Sequence, residues 1–342
     1  MRKIIFLTGL IFLVGGILAS FFIPAAWFSV PADGAPIINI NIVEGMTVDD
    51  VTTLLFEKGL IQSRLAYKIY MLFDKSAQKV KVGSYPLKSG MSYRLIARTI
   101  ALGPTREEVQ IKIIEGWSNE AMGLELSKYN VSAADWLSEV GSNKNGKPMA
   151  DNWRQDFSFL KDLPADSSLE GFLFPDTYRV WKDQLPQGLI AKQLSEFEKR
   201  ATHLVDEAKK QGRTLHEVVT LASIVEKEVA DPEDRKIVAG IFLNRIKRGM
   251  PLQSDATISY LTGSGRARSN LDELGIDSPF NTYKYKGLPP APICNPGETA
   301  LEAALNPAAS DYFYFLTDEE GKTYYAKTLE EHAKNRARAF GE

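Results

Sequence analysis

One glutamate of this sequence is predicted to lie inside the apolar stripe of a helix. Thr214 and Glu217 have the spacing of a capping box, in which a hydroxyl and a carboxylate bind the first amides of a helix. At about 100° per residue, the helix that follows places Glu226 within a stripe of apolar side chains. The apolar members of that stripe are Leu215, Val218, Val219, Ala222, Val225 and Val229. A carboxylate in such surroundings either finds a partner or has its pKa raised.

A carboxyl group that keeps its proton near neutral pH can act as a general acid. Cleavage of a glycosidic bond needs such a group, because the departing sugar oxygen must receive a proton. A single inward glutamate is equally compatible with a structural ion pair, with Arg235 or Arg245 as the partner. The pattern leaves both interpretations of Glu226 open. It also predicts that the neighbouring Lys227 and Glu228 project into solvent.

Polar side chains that could bind a sugar follow this helix in short segments. After a break at residues 249–251 (GMP), residues 252–257 (LQSDAT) bring several hydrogen-bonding side chains together. Residues 281–283 (NTY) and 295–297 (NPG) add amides and a phenol in a proline-rich loop. Such groups suit sugar hydroxyls and sugar faces, although the same loop could simply wrap over the core.

A strand-turn-helix pattern near the start of the chain recurs once. Residues 40–47 (INIVEGMT) begin as an alternating strand, turn at Glu-Gly and end on a hydroxyl that can cap a helix. Residues 111–118 (IKIIEGWS) repeat this order. The sequence therefore predicts two related strand-turn-helix units.

The composition excludes several classes of protein. The 41 basic and 43 acidic residues nearly balance, with no long run of one sign, so nucleic acid is not an expected partner. The single cysteine, Cys294, excludes an intramolecular disulfide and a cysteine-based metal site. His203, His216 and His332 lie far apart and form no zinc motif. We therefore expect neither a metal nor a cofactor.

The N-terminus has the pattern of a single membrane span. After Arg2 and Lys3, residues 4–32 carry no charge, and residues 4–28 are long enough to cross a bilayer. Basic residues before the span and acidic residues after it place the N-terminus in the cytoplasm and the rest of the chain outside. A cleaved signal peptide is the alternative, but the apolar stretch is long for one. We expect a single-pass protein of the cytoplasmic (inner) membrane, with residues 1–3 inside.

Several short segments, taken in order, resemble the endolytic murein transglycosylases of the YceG-like (MltG) family. The segments are residues 169–178 (LEGFLFPDTY), 221–228 (LASIVEKE), 244–245 (NR), 252–257 (LQSDAT), 281–283 (NTY), 287–290 (GLPP) and 295–297 (NPG). With the apolar N-terminus, the resemblance covers essentially the whole chain. The sequence departs from the family at Phe280, where a tyrosine is common, and an aromatic ring is kept there.

The resemblance implies an α+β protein of several modules and names its partners. The modules would be a transmembrane helix at residues 4–28, a LysM-like small α/β domain at 36–105, a second small α/β or linking module at 106–165 and a mixed α/β catalytic domain at 166–342. The LysM-like domain would hold peptidoglycan. The expected partners are peptidoglycan glycan strands and the penicillin-binding proteins that synthesise them.

The resemblance also implies the reaction and the residues that carry it. Members of this family cleave the β-1,4 bond between N-acetylmuramic acid and N-acetylglucosamine inside a strand, leave a 1,6-anhydro ring and are expected to end strand elongation. Glu226 would be the catalytic acid. The residues expected to bind or position the sugar are Gln253, Ser254, Asp255, Thr257, Asn281, Tyr283 and Asn295.

Two other functions compete with this one. A glycoside hydrolase would use Asp255 or Glu228 as a second carboxylate that activates water. A wall-binding scaffold without catalysis would rely on the LysM-like domain alone. Product mass distinguishes the glycoside hydrolase from the transglycosylase, because hydrolysis adds one water and the anhydro route does not. Loss of strand cleavage in a Glu226 variant that still binds strands distinguishes the enzyme from the wall-binding scaffold.

Overall fold

The computed structural model of the protein describes four stretches of the chain, residues 30–74, 79–104, 107–264 and 270–341. The chain divides into two compact units, Met1–Arg106 and Glu107–Glu342. Each unit combines helices with small antiparallel sheets. The predicted α+β class is therefore confirmed.

The first unit is built around one antiparallel pair of strands. Its described elements are β1 (Ile37–Ile42), α1 (Val48–Glu57), α2 (Arg64–Phe73), β2 (Gly83–Lys88) and α3 (Tyr93–Leu102). β1 pairs with β2, and Ile40 and Ile42 enter the core because alternate residues of a strand face opposite sides. Thr47 caps α1, as the sequence predicts, and Ser63 caps α2.

The second unit contains most of the helices. Its described elements are β3 (Glu108–Lys112), α4 (Asn119–Leu126), α5 (Ala133–Val140), α6 (Asp151–Asp156), β4 (Thr177–Trp181), α7 (Gln187–Lys210), α8 (Leu215–Glu228), α9 (Pro232–Lys247), α10 (Asp255–Thr262), α11 (Leu271–Leu274), α12 (Glu298–Leu305), β5 (Tyr314–Thr317), β6 (Thr323–Ala326) and α13 (Leu329–Phe340). β3 pairs with β4 and β5 with β6, both antiparallel.

One hydrophobic core runs through the second unit. It extends from Ile111 on β3 to Leu305 at the end of α12 and includes the fully buried Trp136 and Phe172. α8 packs against α9 and α12, and every residue from Val218 to Val225 is buried. The helix that carries the candidate catalytic residue is therefore held on several sides.

Several predictions on domain organisation are not tested. The predicted cytoplasmic tail (residues 1–3) and transmembrane helix (residues 4–28) lie outside the described residues. Among the residues that the structure does describe, no helix combines the length and the apolar character that a bilayer crossing needs. The LysM-like character of residues 36–105 and the boundary at residue 166 stay predictions.

Candidate active site

Glu226 lies in the last turn of α8. Local hydrogen bonds define where this helix begins. Thr214 and Glu217 form the predicted capping box: Glu217 N donates to Thr214 Oγ1 (3.1 Å), and Thr214 N donates to Glu217 Oε2 (2.7 Å). The helix ends at Glu228, after which Val229 is extended. The buried stripe turns the Glu226 side chain inward, so that only 6% of it is exposed.

Two donors bind the two oxygens of the Glu226 carboxyl group. Arg235 Nη2, from α9, donates to Glu226 Oε1 (2.7 Å). The backbone N–H of Gly297, just before α12, donates to Glu226 Oε2 (3.0 Å). The carboxyl group is therefore fixed in orientation by elements that are distant in sequence.

Arg235 is itself held in place. Its Nε donates to Val229 O (3.1 Å) and its Nη1 donates to Thr299 Oγ1. The ion pair with Glu226 is the one that the structural interpretation of this glutamate requires, with Arg235 rather than Arg245 as the partner. Arg245 instead donates to backbone carbonyls, including that of Leu252 (2.8 Å).

The ion pair does not keep the pKa of Glu226 at its usual value. Burial raises this pKa, and that effect exceeds the lowering by the Gly297 N–H group and by Arg235. The negative charge of Glu115 raises the pKa of Glu226 further. The carboxyl group of Glu226 thus has an arginine partner and still holds its proton to higher pH than an ordinary glutamate.

A Glu-Gly turn from the start of the second unit packs against the last turn of α8. The turn follows β3 and precedes α4, and Gly116 at its centre has φ +77°. A Cβ atom on Gly116 would lie 3.6 Å from Glu226 Cγ and 3.4 Å from Lys227 Cδ. Gly116 N donates to Asn295 O (2.9 Å), and Asn295 N donates to Trp117 O (2.9 Å).

Asn295 connects this turn to the other segments of the site. It is fully buried, and its Oδ1 accepts from the N–H groups of Gly171 and Leu173 (2.9 Å each). Its Nδ2 donates to Glu170 Oε1 and to Trp117 O (3.0 Å each). Because its polar atoms already have protein partners, we assign Asn295 to positioning rather than to substrate contact.

A second polar cluster surrounds Glu228, where the prediction of a solvent-facing side chain was wrong. Ser254 Oγ donates to Glu228 Oε1, because the N-terminus of α10 packs over the end of α8. Burial, together with the negative charge of Asp255, raises the pKa of Glu228 to about 7. Tyr283 OH donates to Asp255 Oδ1 (3.2 Å), which brings another predicted site residue into this cluster.

The remaining predicted site residues are divided between surface and interior. Gln253 is exposed and has a left-handed backbone (φ +51°). Thr257 is fully buried, and its Oγ1 donates to Ser254 O (2.8 Å). Asn281 is fully buried and donates to backbone carbonyls at 2.8 and 3.0 Å. Thr257 and Asn281 thus hold the loops that present Ser254 and its neighbours.

Sequence reasoning missed the groups closest to Glu226, apart from Arg235. Glu115, Gly116 and Gly297 contribute to the site, although none of them was predicted to do so. The recurring Glu-Gly pattern was a signal for the first two, but the pattern gave no reason to place this turn beside α8. Gly297 acts through its backbone N–H group, and a sequence motif made of side chains cannot predict such a contact.

A buried acid with a raised pKa, beside an exposed carboxylate, defines a site suited to acid catalysis. A sequence profile of the YceG-like family matches residues 40–338. The chain therefore belongs to the YceG-like family.

Characterised relatives and a solved structure agree with this membership. An endolytic murein transglycosylase of Bacillus subtilis is 34% identical over 311 residues, which are 89% of this chain and 85% of that protein. An endolytic murein transglycosylase of Streptococcus pneumoniae is 32% identical over 328 residues, covering 90% of this chain and 59% of the longer relative. A crystal structure of a YceG-like protein of Listeria monocytogenes is 30% identical with a TM-score of 0.58, and the match covers 88% of this chain and 100% of that one.

Proposed function

We propose that this protein is an endolytic lytic transglycosylase, a lyase that cuts peptidoglycan glycan strands between N-acetylmuramic acid and N-acetylglucosamine. The product ends would carry 1,6-anhydro-N-acetylmuramic acid, and the cuts would end strand elongation. The observation that carries this proposal is Glu226, a buried carboxyl group with a raised pKa and two fixed donors. The names of the Bacillus and Streptococcus relatives, both endolytic murein transglycosylases, support the substrate and the reaction.

In the proposed mechanism, one carboxyl group acts twice. Protonated Glu226 donates its proton to the glycosidic oxygen as the bond to C1 of the muramic acid breaks. The N-acetyl group of the substrate stabilises the positive charge at C1. The Glu226 carboxylate then takes the proton of the 6-hydroxyl while that oxygen attacks C1. The ring closes, the acid regains its proton and no water is consumed.

The surroundings of Glu226 favour both of its protonation states in turn. Burial favours the neutral acid before proton transfer. The Gly297 N–H group and Arg235 stabilise the carboxylate that forms afterwards. This balance supports a group that gives up a proton and recovers it within one catalytic cycle.

The polar cluster at α10 is the proposed place for sugar contacts. Asp255 and Tyr283 are partly exposed and linked by a hydrogen bond, and Gln253 is exposed beside them. We propose that these three side chains bind the sugar, with Ser254 holding Glu228 next to them. Thr257, Asn281 and Asn295 would keep the loops in position.

The remaining proposals concern the other modules and the partners. Residues 36–105 would form a LysM-like domain that holds peptidoglycan, and residues 166–342 would carry catalysis on a core shared with residues 106–165. A span at residues 4–28 would anchor the protein in the cytoplasmic membrane, with the remainder outside. Penicillin-binding proteins are the proposed partners, because they make the strands that would be cut.

Product mass tests the proposed reaction. Full-length protein in detergent is incubated with isolated glycan strands, and the fragments are analysed by mass spectrometry. We expect internal cuts with ends that lack one water relative to hydrolysed ends. Ends that contain this water would identify a hydrolase with Asp255 or Glu228 as the base. Strand binding without any cleavage would identify a wall-binding scaffold.

A further inference from the structure

A second carboxylate lies close to Glu226 and has no role in the mechanism above. Glu115 belongs to the Glu-Gly turn between β3 and α4, and it is exposed. Within the part of the chain that the structure describes, no hydrogen bond or ion pair is found for its carboxylate.

The carboxylate of Glu115 lies against the backbone of Gly297. A Cβ atom on Gly297 would lie 2.9 Å from Glu115 Oε2, closer than real Cβ contacts come. Gly297 is the residue whose N–H group binds Glu226 Oε2 (3.0 Å). Connecting these contacts through standard bond lengths, the carboxyl groups of Glu115 and Glu226 lie within about 9 Å of each other.

The groups that face Glu226 come from several elements. Arg235 of α9 pairs with Glu226. Cys294, in the loop before Gly297, is a buried thiol whose pKa is raised by burial and by the charge of Glu226. Lys227, next in sequence, directs its Nζ towards Gly116 O (3.5 Å). Glu115 is the negatively charged member of this set, and its charge acts against that of Arg235.

We propose that Glu115 is a positioning residue of the active site, whose negative charge holds the proton on Glu226 against the pull of Arg235. This inference rests on the proposed function of Glu226 as the general acid. Without Glu115, the arginine would favour the carboxylate, and the acid would lose its proton at lower pH. The raised pKa of Glu226, to which Glu115 contributes, supports this inference.

The pH dependence of cleavage gives the first test. Loss of the acid's proton sets the alkaline limb of the rate profile. At about 9 Å and partial screening, removal of one negative charge should move that limb down by up to about one pH unit. Full-length Glu115→Gln should therefore lose up to about tenfold in kcat/KM on the alkaline side and little on the acidic side.

Two further variants control for geometry and for the loss of any surface charge. Glu44→Gln removes the matching carboxylate from the Glu-Gly turn of the first unit, and it should leave the alkaline limb at its wild-type pH. Glu115→Asp keeps the charge and should keep the alkaline limb near its wild-type position. An equal loss at every pH in Glu115→Gln, or a wild-type profile, would overturn the proposal.

A second measurement separates this proposal from that of the reaction itself. Infrared titration follows the protonated carboxyl band that disappears in Glu226→Gln, and it needs no substrate. We expect its midpoint to fall in Glu115→Gln and to stay in Glu44→Gln. If wild-type protein cuts no strands but the midpoint falls, the reaction is wrong and the electrostatic coupling stands. If strands are cut and the midpoint does not move, only the role of Glu115 is wrong.

Discussion

Residues 37–57 and 108–126 share one local design but have different surroundings. Each has a strand, a Glu-Gly turn with positive φ at the glycine and a helix capped by a hydroxyl. A Cβ atom on Gly45 would meet nothing within 4 Å, whereas one on Gly116 would touch the side chain of Glu226. The backbone motif is therefore not sufficient for a functional site, and what packs against the turn decides its role.

The first helical turns of the two segments show how the difference arises. Thr47 N donates to Asp50 Oδ2 (2.8 Å), which closes the capping box of α1 within the segment. In the second segment, Asn119 N at the start of α4 donates to both oxygens of Glu170 (3.0 and 3.1 Å). The first segment closes its capping box from within, whereas the second adds to its own Ser118 cap a carboxylate that lies 51 residues away.

The largest expected effect is the loss of cleavage when Glu226, which packs beside the second segment, is replaced. Glu226→Gln should lower strand cleavage by at least about 100-fold, because an amide cannot deliver a proton. Glu44→Gln, in the first segment, removes no proton donor of the proposed reaction, so its initial rate should stay within a few-fold of the wild-type rate. Both rates are measured from product mass on isolated strands. Near-normal cleavage by Glu226→Gln, with a lowered Tm, would reduce Glu226 to the partner of Arg235 in an ion pair.

A second contrast concerns stability. Asn295→Ala leaves the buried amides of Gly171 and Leu173 without an acceptor, so the free energy of unfolding should fall by about 2–4 kcal/mol. Asn41→Ala, at an exposed position of β1, should change it by less than about 0.5 kcal/mol. Urea unfolding followed by circular dichroism measures both. Equal effects would mean that the second segment is no more dependent on distant contacts than the first.

One carboxyl group in each unit should make an opposite contribution to the pH dependence of stability. Glu228 in the second unit has its pKa raised from 4.5 to about 7, so its stability contribution is complete below pH 4.5 and is lost as pH rises through about 7. The change amounts to at most about 3 kcal/mol and should vanish in Glu228→Gln. The Thr47 hydroxyl lowers the pKa of Asp50 in the first unit, so the stability from Asp50 is lost as pH falls.

Hydrogen exchange of each unit between pH 4 and pH 8 measures these responses. Tryptophan fluorescence adds a check on the second unit, which holds Trp117, Trp136, Trp153 and Trp181. Faster exchange of the second unit's core at pH 8 than at pH 5, beyond the intrinsic rate change, is the expected result. A Glu228→Gln variant with the wild-type pH dependence would contradict the assignment.

The smallest expected effect compares the two turn glycines. Gly45→Ala and Gly116→Ala should each cost about 1 kcal/mol, because both glycines have a left-handed backbone. Only Gly116→Ala should also slow cleavage, by a few-fold, since its new methyl group would contact Glu226 and Lys227. Thermal unfolding and initial rates measured on both variants test this. A matching loss of activity in Gly45→Ala would break the comparison.

Sequence patterns predicted the features that local interactions determine. Thr47 and Thr214 cap their helices as expected, because each cap involves residues three positions apart. The stripe of α8 also indicated the inward direction of Glu226, and Arg235 was one of two partners considered.

Contacts between distant segments could not be predicted in the same way. Glu228 is covered by α10, so its burial depends on tertiary packing that the helical period does not contain. Gly297 and Glu115 reach Glu226 from 71 and 111 positions away, and one of them acts through its backbone. Asn295 and Asn281 have the residue type of sugar ligands, yet the structure uses their amides to hold backbone groups.

The hydrogen bond between Gly297 and Glu226 has a consequence for the order of events during synthesis. Ribosomes make the chain from its N-terminus, so the acid is made 71 residues before the amide that orients it. A nascent chain that ends before residue 297 contains Glu226 without that donor. The carboxyl group of Glu226 is thus oriented only after most of the second unit has been made.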